Sequence, residues 1–345
     1  MMDIDHRVRS YACDAVFDCS PDRITAVSRF ESGERHAVYK VSYLDPVGGT
    51  SDLVVRISTV DDARGCAQAE REATVLKKVQ GFAAPLLYDF RCDSRWFAVP
   101  TMCMQFVPGQ PRELVAAAAK DVERLGSVIG WVHGLATDDL VEWFPQTGST
   151  AAYRDDRWEE IVRKLPSVRD PLPAPVQRRL KRALLVVNRS LESAQRRGSF
   201  RTDERLVLLH GDPGAGNILW DRKPVLIDWE YARLGDPADE VAYIFGQHGL
   251  TAPQRKAFWR GYRRSRNPQQ HLQDVVDRVG WWEPVTLLGS ALWWVERWSR
   301  RDDADAAGRV DPSAPRACSY YLDRVIHRLD RFDELFTGAP GAKVL

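Results

Sequence analysis

The sequence has little excess charge of either sign and no long apolar run. Its 49 Lys and Arg residues balance 48 Asp and Glu residues, for a formal net charge of +1. This balance gives no electrostatic basis for binding nucleic acid or an acidic surface. No apolar run approaches the about 18 residues that a membrane-spanning helix requires, so we expect no membrane partner.

Cysteine is sparse and unpatterned. The six cysteines form neither Cys-X-X-Cys pairs nor the spacing of a disulfide-rich module, and they stand at positions 13, 19, 66, 92, 103 and 318. This usage predicts reduced thiols, a cytoplasmic protein and no cysteine-based zinc site. The N-terminus is polar and charged and lacks the hydrophobic core of a signal peptide, which agrees with a cytoplasmic location.

The chain does have the size and composition of an ordinary globular protein. It contains 345 residues, of which 44% are hydrophobic and 28% are charged. A chain of this length buries a sizeable core and commonly divides into two domains or lobes. Strand-like patterns dominate up to a Pro-Gly break at 108–109, and helical periodicity dominates afterwards. We therefore predict an N-terminal lobe at 1–107 and a C-terminal lobe at 108–345.

The densest group of polar residues that could take part in catalysis or metal binding lies within residues 206–240. Two short apolar runs, at 206–209 and 224–227, are typical of buried strands. Asp212 and Asn217 follow the first run, and Asp228 follows the second. If the second strand returns beside the first as a hairpin-like pair, these three side chains lie around one small volume.

Such a group suits nucleotide chemistry. Mg²⁺ prefers oxygen ligands and keeps several waters, so one carboxylate and one amide oxygen suffice beside the phosphates. A second carboxylate, away from the metal, can accept the proton of an attacking hydroxyl. An Asp followed five residues later by Asn, and then by a further Asp, matches the phosphoryl-transfer template. We therefore expect Asp212 to be catalytic and Asn217 and Asp228 to be metal ligands.

The same residues resemble a known family. His-Gly-Asp at 210–212, Asn217 and Ile-Asp at 227–228 closely resemble the signature of the aminoglycoside phosphotransferase and choline kinase family of small-molecule kinases. The resemblance implies an α+β, two-lobed protein-kinase-like fold: an N-lobe antiparallel sheet with one helix, and a larger, mostly helical C-lobe. It also implies Mg²⁺-dependent transfer of the γ-phosphoryl of ATP (or GTP) to a hydroxyl of a small molecule.

The resemblance further implies where the nucleotide binds. Arg56 stands where a kinase third strand usually has the Lys that reaches the phosphates, and Glu72, 16 residues later on a predicted helix, matches its ion-pair partner. A guanidinium can bind phosphate bidentately, although Lys40 on the preceding strand is an alternative contact. Gly33 lies in a loop between the first two strands, which suits either a turn over the phosphates or a plain hairpin.

Three more elements take their expected roles from the family. Residues 104–109 match the hinge between the lobes, where backbone groups of Gln105 and Val107 would bind an adenine edge. His133 matches a position that the family uses for a packed structural histidine. Asp239 follows Gly-Asp-Pro at 235–237 at the start of a helix, where it is well placed for an N-terminal cap or dipole role.

The acceptor is not identified by the sequence. An aromatic stripe at helical spacing is more typical of a core, although aromatic faces near this part of choline kinase relatives bind a cationic amine. The stripe consists of Trp281, Trp282, Trp293, Trp294 and Trp298. The acceptor is therefore a hydroxylated small molecule, cationic or not: an aminoglycoside, another antibiotic, choline or another amino alcohol, or a sugar.

Three other functions were compared with this interpretation. A protein kinase needs a long activation segment, whereas only seven residues separate Asp228 from Asp236. A hydrolase with paired carboxylates has no need of Asn217 at its spacing. A nucleotide-binding pseudokinase without turnover is the alternative from a different class, and the intact acidic residues argue against it. The pattern indicates no particular oligomeric state.

Overall fold

The computed structural model describes residues 3–16, 21–30, 36–45, 47–59, 63–144, 148–165, 172–266, 271–306 and 318–337. These residues form an antiparallel sheet followed by a mostly helical remainder, which confirms the predicted α+β class. The loop at 31–35, with the predicted phosphate contact Gly33, lies outside the described residues. The division of the chain at residue 107 stays a prediction.

The N-terminal part is a five-stranded sheet. Its strands are β1 (Ile24–Arg29), β2 (His36–Leu44), β3 (Thr50–Ser58), β4 (Leu87–Arg91) and β5 (Thr101–Gln105). They lie in the order β1-β2-β3-β5-β4, and each neighbouring pair is antiparallel. These strands agree with the strand-like patterns that dominate the sequence before the Pro-Gly break at 108–109, because alternating apolar residues favour a half-buried sheet.

The alternation of side chains along β2 and β3 gives the sheet two different faces. On one face, Tyr39 pairs with Val55 and Val41 pairs with Leu53, and all four are buried. Helix α1 (Ile4–Val16) covers this face through its own buried residues, so the sheet carries a second helix beside the predicted one. On the opposite face, the register aligns Lys40 with Val54 and Arg56 with Val38. Directly paired residues share a face, so Lys40 and Arg56 point to the same side.

Helix α2 (Ala63–Val79) joins the sheet to the rest of the chain. Its buried residues Ala73, Leu76 and Val79 belong to the large core that the C-terminal helices also form. The turn after α2 supports the contact, because the carbonyl oxygen of Ala83 accepts a hydrogen bond from the backbone of Leu226 at 2.7 Å. The sheet and the helical part therefore share one continuous core beneath α2.

Helices dominate the chain after β5. They are α3 (Ala119–His133), α4 (Thr150–Arg163), α5 (Ala174–Arg196), α6 (Pro237–His248), α7 (Ala252–Ser265), α8 (Leu272–Ala306) and α9 (Cys318–Thr337). The apolar periodicity of α3 places Leu125, Ile129 and Val132 in the core. Within the described ranges, no helix combines the length and apolar character needed to cross a membrane.

Short strands, one before α3 and the others between α5 and α6, correct one expectation. The strands are β6 (Gln110–Pro111), β7 (Val207–Leu209), β8 (Ile218–Trp220), β9 (Pro224–Leu226) and β10 (Arg233–Gly235). The predicted pairing of the two apolar runs is wrong, because β7 pairs with β10 and β9 pairs with β8. Strands of three residues have little hydrophobic pattern of their own, so the sequence does not specify their partners.

Two cysteines form a disulfide, contrary to the expectation of reduced thiols. Cys66, near the start of α2, is bonded to Cys92, which follows β4, and their Cα atoms are 5.7 Å apart. This separation is normal for a disulfide. The two residues are 26 positions apart in the chain, so no local motif marks the pair. The packing of α2 against β4 brings them together.

Candidate active site

The loop after β7 is held by a buried histidine. His210 Nε2 lies 2.9 Å from the carbonyl oxygen of Ile227, and His210 Nδ1 lies 3.2 Å from the backbone nitrogen of Asp212. Because a carbonyl only accepts and an amide N–H only donates, Nε2 carries the proton and Nδ1 accepts. A neutral imidazole therefore joins the backbone at Asp212 to the residue before Asp228, which brings the two carboxylates to one site although β7 and β9 are not paired.

Gly211 is required by the shape of this loop. Its φ of +87° lies in the left-handed region, and a Cβ there would be 2.1 Å from the carbonyl oxygen of Tyr231. Its N–H donates to Glu240 Oε1 at 2.8 Å, and Glu240 Oε2 bonds to Nε2 of the buried His133 at 2.9 Å. Burial opposes ionisation of Glu240, but the bond to His133 holds the pKa of this carboxyl below its usual value. The predicted structural role of His133 is confirmed.

The carboxylate of Asp212 is held from both sides. Asn217 Nδ2 donates to Asp212 Oδ2 at 3.1 Å and to the carbonyl oxygen of Asp212 at 3.0 Å. Tyr243 on α6 donates its hydroxyl proton to Asp212 Oδ1 at 2.5 Å. These contacts fix the orientation of a half-buried carboxylate, as a group that receives a proton from a defined direction requires.

Asp228 follows β9 in a left-handed conformation, with φ 64° and ψ 66°. Aspartate tolerates this conformation because its short polar side chain can bond locally. Its Oδ1 lies 3.3 Å from Arg56 Nη1. Burial raises the pKa of the Asp228 carboxyl, and the charge of Arg56 opposes that rise.

The predicted ion pair between β3 and α2 is present. The buried guanidinium of Arg56 donates from Nη2 to Glu72 Oε2, and both side chains are less than a tenth exposed. Glu72 Oε1 in turn accepts a hydrogen bond from the backbone nitrogen of Trp229 at 3.2 Å. Glu72 therefore ties α2 both to Arg56 and to the residue after Asp228, so a shift of the helix would displace both.

Lys40 shares the sheet face with Arg56 but has a different environment. Its Nζ lies 2.9 Å from Asp52 Oδ2 and 4.5 Å from the ring centroid of Phe106. Of the two candidate phosphate contacts, Arg56 is therefore the one that bonds to Asp228, whereas Lys40 bonds beside the hinge. The phosphate role of either residue stays a prediction.

The hinge is anchored to the segment before β4. The backbone nitrogen of Gln105 donates to the carbonyl oxygen of Leu86 at 2.8 Å, and Gln105 Oε1 accepts from the Leu86 backbone at 3.3 Å. Gln105 is the last residue of β5, and Val107 follows the strand end. These contacts fix the backbone at the predicted adenine site, whose role stays a prediction.

The N-terminal cap of α6 is Asp236, which corrects the cap proposed for Asp239. Asp236 Oδ1 accepts from a backbone nitrogen in the first turn at 3.0 Å, while Oδ2 accepts from Arg278 Nε and Trp282 Nε1, both at 2.8 Å. Asp239 lies in the first turn and points inward, where its Oδ2 accepts from the Tyr153 hydroxyl at 2.6 Å. The predicted dipole role fits Asp239, because the partial positive charge at the N-terminus of a helix favours an acidic side chain in the first turn.

The aromatic stripe is mainly core. Trp281, Trp282 and Trp298 are at least nine-tenths buried. Trp293 and Trp294 are more exposed, but guanidinium groups lie over their rings, with the Cζ of Arg297 at 4.4 Å and that of Arg324 at 6.0 Å from the centroids.

Tyr243, which bonds to Asp212, was not predicted from the sequence, because a tyrosine on an apolar helix has the pattern of an ordinary core residue.

The polar atoms fit a divalent cation. Both hydrogen bonds that Asn217 makes to Asp212 use Nδ2, so its amide oxygen is the atom left for a metal. Asp228 adds a carboxylate that contacts Arg56 through Oδ1. An amide oxygen and a carboxylate are the hard oxygen ligands that Mg²⁺ prefers.

The sheet, the helical remainder and this site define a kinase-like phosphotransferase. A model of the phosphotransferase enzyme family matches residues 26–273. The chain therefore belongs to that family and is a small-molecule kinase. No curated protein matches the sequence.

Solved structures share the fold at low sequence identity. A putative aminoglycoside phosphotransferase from Ralstonia eutropha JMP134 is 13% identical, with a TM-score of 0.61 over 95% of this chain and 96% of its own. The choline kinase LicA from Streptococcus pneumoniae is 12% identical, with a TM-score of 0.59 over 96% of this chain and 99% of its own. A spectinomycin phosphotransferase in complex with ADP and spectinomycin is 11% identical, with a TM-score of 0.56 over 96% and 94%. These likenesses confirm the kinase-like fold.

Proposed function

We propose that this enzyme transfers the γ-phosphoryl group of ATP (or GTP), with Mg²⁺, to a hydroxyl of a small molecule. The observation that carries the proposal is the position of the Asp212 carboxylate. This carboxylate is fixed between Asn217 and Tyr243, and the His210 imidazole connects the Asp212 backbone to the strand end that bears Asp228. One carboxylate is thus held for the acceptor, while a second carboxylate and an amide oxygen are left for the metal.

Asp212 acts on the acceptor. An aliphatic hydroxyl is too weak an acid to lose its proton to a carboxylate before attack, so Asp212 aligns the hydroxyl and takes its proton as the new P–O bond forms. The hydrogen bonds from Tyr243 and Asn217 keep the carboxylate in one orientation. This preorganisation matters because phosphoryl transfer through a loose transition state depends mainly on positioning and charge neutralisation.

The remaining residues hold the nucleotide. Asn217 and Asp228 would bind Mg²⁺, which neutralises charge on the phosphates when it is bound. Arg56, oriented by Glu72, would contact the phosphates. Three further predicted contacts complete the nucleotide site, namely Gly33, Gln105 and Val107. The ADP and spectinomycin in the related phosphotransferase support a site for a nucleotide beside a small molecule.

Residues 1–107 would form the nucleotide-binding lobe, and residues 108–345 the catalytic and acceptor-binding lobe. A cytoplasmic location suits the proposal, because the nucleotide is supplied there. The Cys66–Cys92 disulfide argues against a reducing compartment, which would keep both residues as thiols. Alkylation of the protein in freshly lysed cells tests the location: thiols at both positions support it, and a disulfide argues against it.

A nucleotide-turnover assay tests the proposed function. Purified protein with Mg²⁺ and ATP or GTP is incubated alone and with a panel of hydroxylated amines, antibiotics, sugars and hydroxy acids. We expect acceptor-dependent release of nucleoside diphosphate together with a phosphorylated acceptor. Release of inorganic phosphate irrespective of acceptor would indicate a hydrolase. Nucleotide binding without turnover on any acceptor would indicate a pseudokinase.

A further inference from the structure

Arg328 on α9 is a partly buried arginine without an acidic partner. Its Nε donates to Ser290 Oγ at 3.1 Å, and no carboxylate in the described part of the chain lies within ion-pair distance. Buried arginines elsewhere have such a partner, as Arg56 has Glu72 and Arg278 has Asp236. A guanidinium withdrawn from water is costly unless a negative group compensates it. Arg328 therefore has no carboxylate at ion-pair distance among the described residues, although Glu113 acts on its charge from further away.

Gln247 has a donor without a partner in the same hydrogen-bond network as Arg328. Ser290 Oγ, which accepts from Arg328, donates to Gln247 Oε1 at 3.3 Å. The Nε2 of Gln247 is buried and has no hydrogen-bond partner among the described residues. Buried donors without partners are rare in native proteins and call for a ligand or ordered water. Arg328 and Gln247 thus supply two donors joined through a single serine.

This pair of donors lies beside the catalytic carboxylate. Gln247 is one turn after Tyr243 on α6, so the two side chains share a helix face. Tyr243 bonds to Asp212 and also lies close enough to Arg328 to interact with it electrostatically. The group formed by Arg328, Ser290 and Gln247 therefore lies next to Tyr243, which bonds to the proposed proton acceptor Asp212.

Two further arginines lie near Arg328 on α9. Burial and the neighbouring Arg324 and Arg331 lower the pKa of Arg328, while Tyr243 and Glu113 oppose this shift. An anion bound to Arg328 would relieve the repulsion between the three arginines. A cationic amine would add to it, and the exposed faces of Trp293 and Trp294 are already covered by arginines.

We propose that the acceptor carries an anionic group, a carboxylate or a phosphate, which Arg328 and Gln247 bind while Asp212 aligns the acceptor hydroxyl and receives its proton. This inference rests on the proposed phosphoryl transfer and specifies its acceptor as a hydroxy acid or a phosphorylated polyol. It replaces the cationic acceptor that resemblance to choline kinases suggests.

Two measurements test the charge preference. In the first, protein loaded with Mg²⁺ and the non-hydrolysable analogue AMP-PNP is titrated calorimetrically with matched probes. Hydroxy acids from glycolate to gluconate are compared with their primary amides, and sugar phosphates with their parent sugars; choline, spectinomycin and hygromycin B provide cationic probes. In the second, the same compounds are tested as acceptors with Mg²⁺ and ATP. The acid and phosphate arms distinguish the two sources of negative charge.

Substitutions at α9 locate the preference. We expect at least one anionic probe to bind more tightly than its uncharged partner, and Arg328→Gln to weaken that binding by about 10- to 100-fold, the usual effect of a hydrogen bond to a charged group. Arg328→Lys should restore part of it, because the charge is retained. Arg324→Gln removes the same charge one turn earlier from an exposed position and should leave the preference intact. Unchanged AMP-PNP affinity and thermal unfolding show that the variants are folded.

The outcomes separate this inference from the proposed function. If no anionic probe binds better than its uncharged partner, or if Arg328→Gln binds anions as the wild type does, the inference is wrong even if another acceptor is phosphorylated. If anions bind through Arg328 but no compound is phosphorylated, the anion site stands and the proposed phosphoryl transfer fails.

Discussion

Arg56 donates a hydrogen bond from Nη1 to Oδ1 of Asp228 at 3.3 Å, across 172 positions of the sequence. The same guanidinium bonds to Glu72 on α2. One buried cation thus connects the sheet, the helix and the proposed metal ligand. Through this contact, the position of α2 determines where the proposed phosphate contact Arg56 and the proposed metal ligand Asp228 lie relative to each other.

The first prediction separates the two candidate phosphate contacts. Arg56→Ala should raise the nucleotide KM or lower kcat, because the phosphates lose a cation and Glu72 loses its partner. Lys40→Ala should do neither, since Lys40 bonds to Asp52 beside the hinge. Steady-state kinetics with varied nucleotide measure both effects. The reverse result would assign the phosphate contact to Lys40.

The Arg56 experiment needs a control for stability. Removal of one partner from a buried ion pair typically costs about 3–5 kcal/mol of folding free energy. Arg56→Lys retains the positive charge. It also introduces lysine, the residue that kinases more usually have at this position. It should restore most of the nucleotide affinity, and thermal unfolding should show that it is folded.

The second prediction concerns the metal. Asp228→Ala should abolish turnover and weaken Mg²⁺-dependent nucleotide binding while the fold persists, because it removes the carboxylate that we propose as the main ligand of the cation. Titration of the nucleotide with and without Mg²⁺, together with circular dichroism, measures this. Asp221→Ala, at an exposed position of the neighbouring turn, is the matched control. Normal activity of Asp228→Ala would refute the assignment.

The third prediction concerns the loop that carries Asp212. Gly211→Ala forces a Cβ to within 2.1 Å of a backbone oxygen and places alanine at φ +87°. We expect a stability loss of at least about 1–3 kcal/mol, the typical cost of such backbone strain, and a lower kcat. Gly216→Ala is the matched control, because its Cβ would meet nothing within 4 Å. Thermal unfolding and kcat that are equal for the two variants would contradict this account of the loop.

The sequence predicted features that depend on local periodicity or spacing. The resemblance to kinases implied the pair of Arg56 and Glu72, and their separation of 16 positions, from a strand to an amphipathic helix, is compatible with that ion pair. The predicted pairing of β7 with β9 was wrong, because strands of three residues carry too little hydrophobic pattern to determine their partners. The Cys66–Cys92 bond and the contact of Tyr243 with Asp212 depend on packing between distant segments, which neither residue type nor spacing reveals.

The cap of α6 shows the same limit on a smaller scale. Asp236 and Asp239 are both acids near the start of one helix, and propensity alone favours either as a cap. Burial decides between them. Asp236 is completely buried with Arg278 and Trp282 as partners, and Asp239 is held by the Tyr153 hydroxyl.

The central claim is that Asp212 receives the proton of the acceptor hydroxyl, and Asp212→Asn tests it most directly. The amide fits the same contacts, because its oxygen can accept from Asn217 while its nitrogen donates to the Tyr243 hydroxyl, which can also accept. The variant should therefore bind Mg²⁺-nucleotide nearly as the wild type does. Its kcat should fall by at least about two orders of magnitude, because loss of a general base typically costs about 10²- to 10⁴-fold. Measured with the same acceptor, turnover near the wild-type rate would contradict the proposed mechanism.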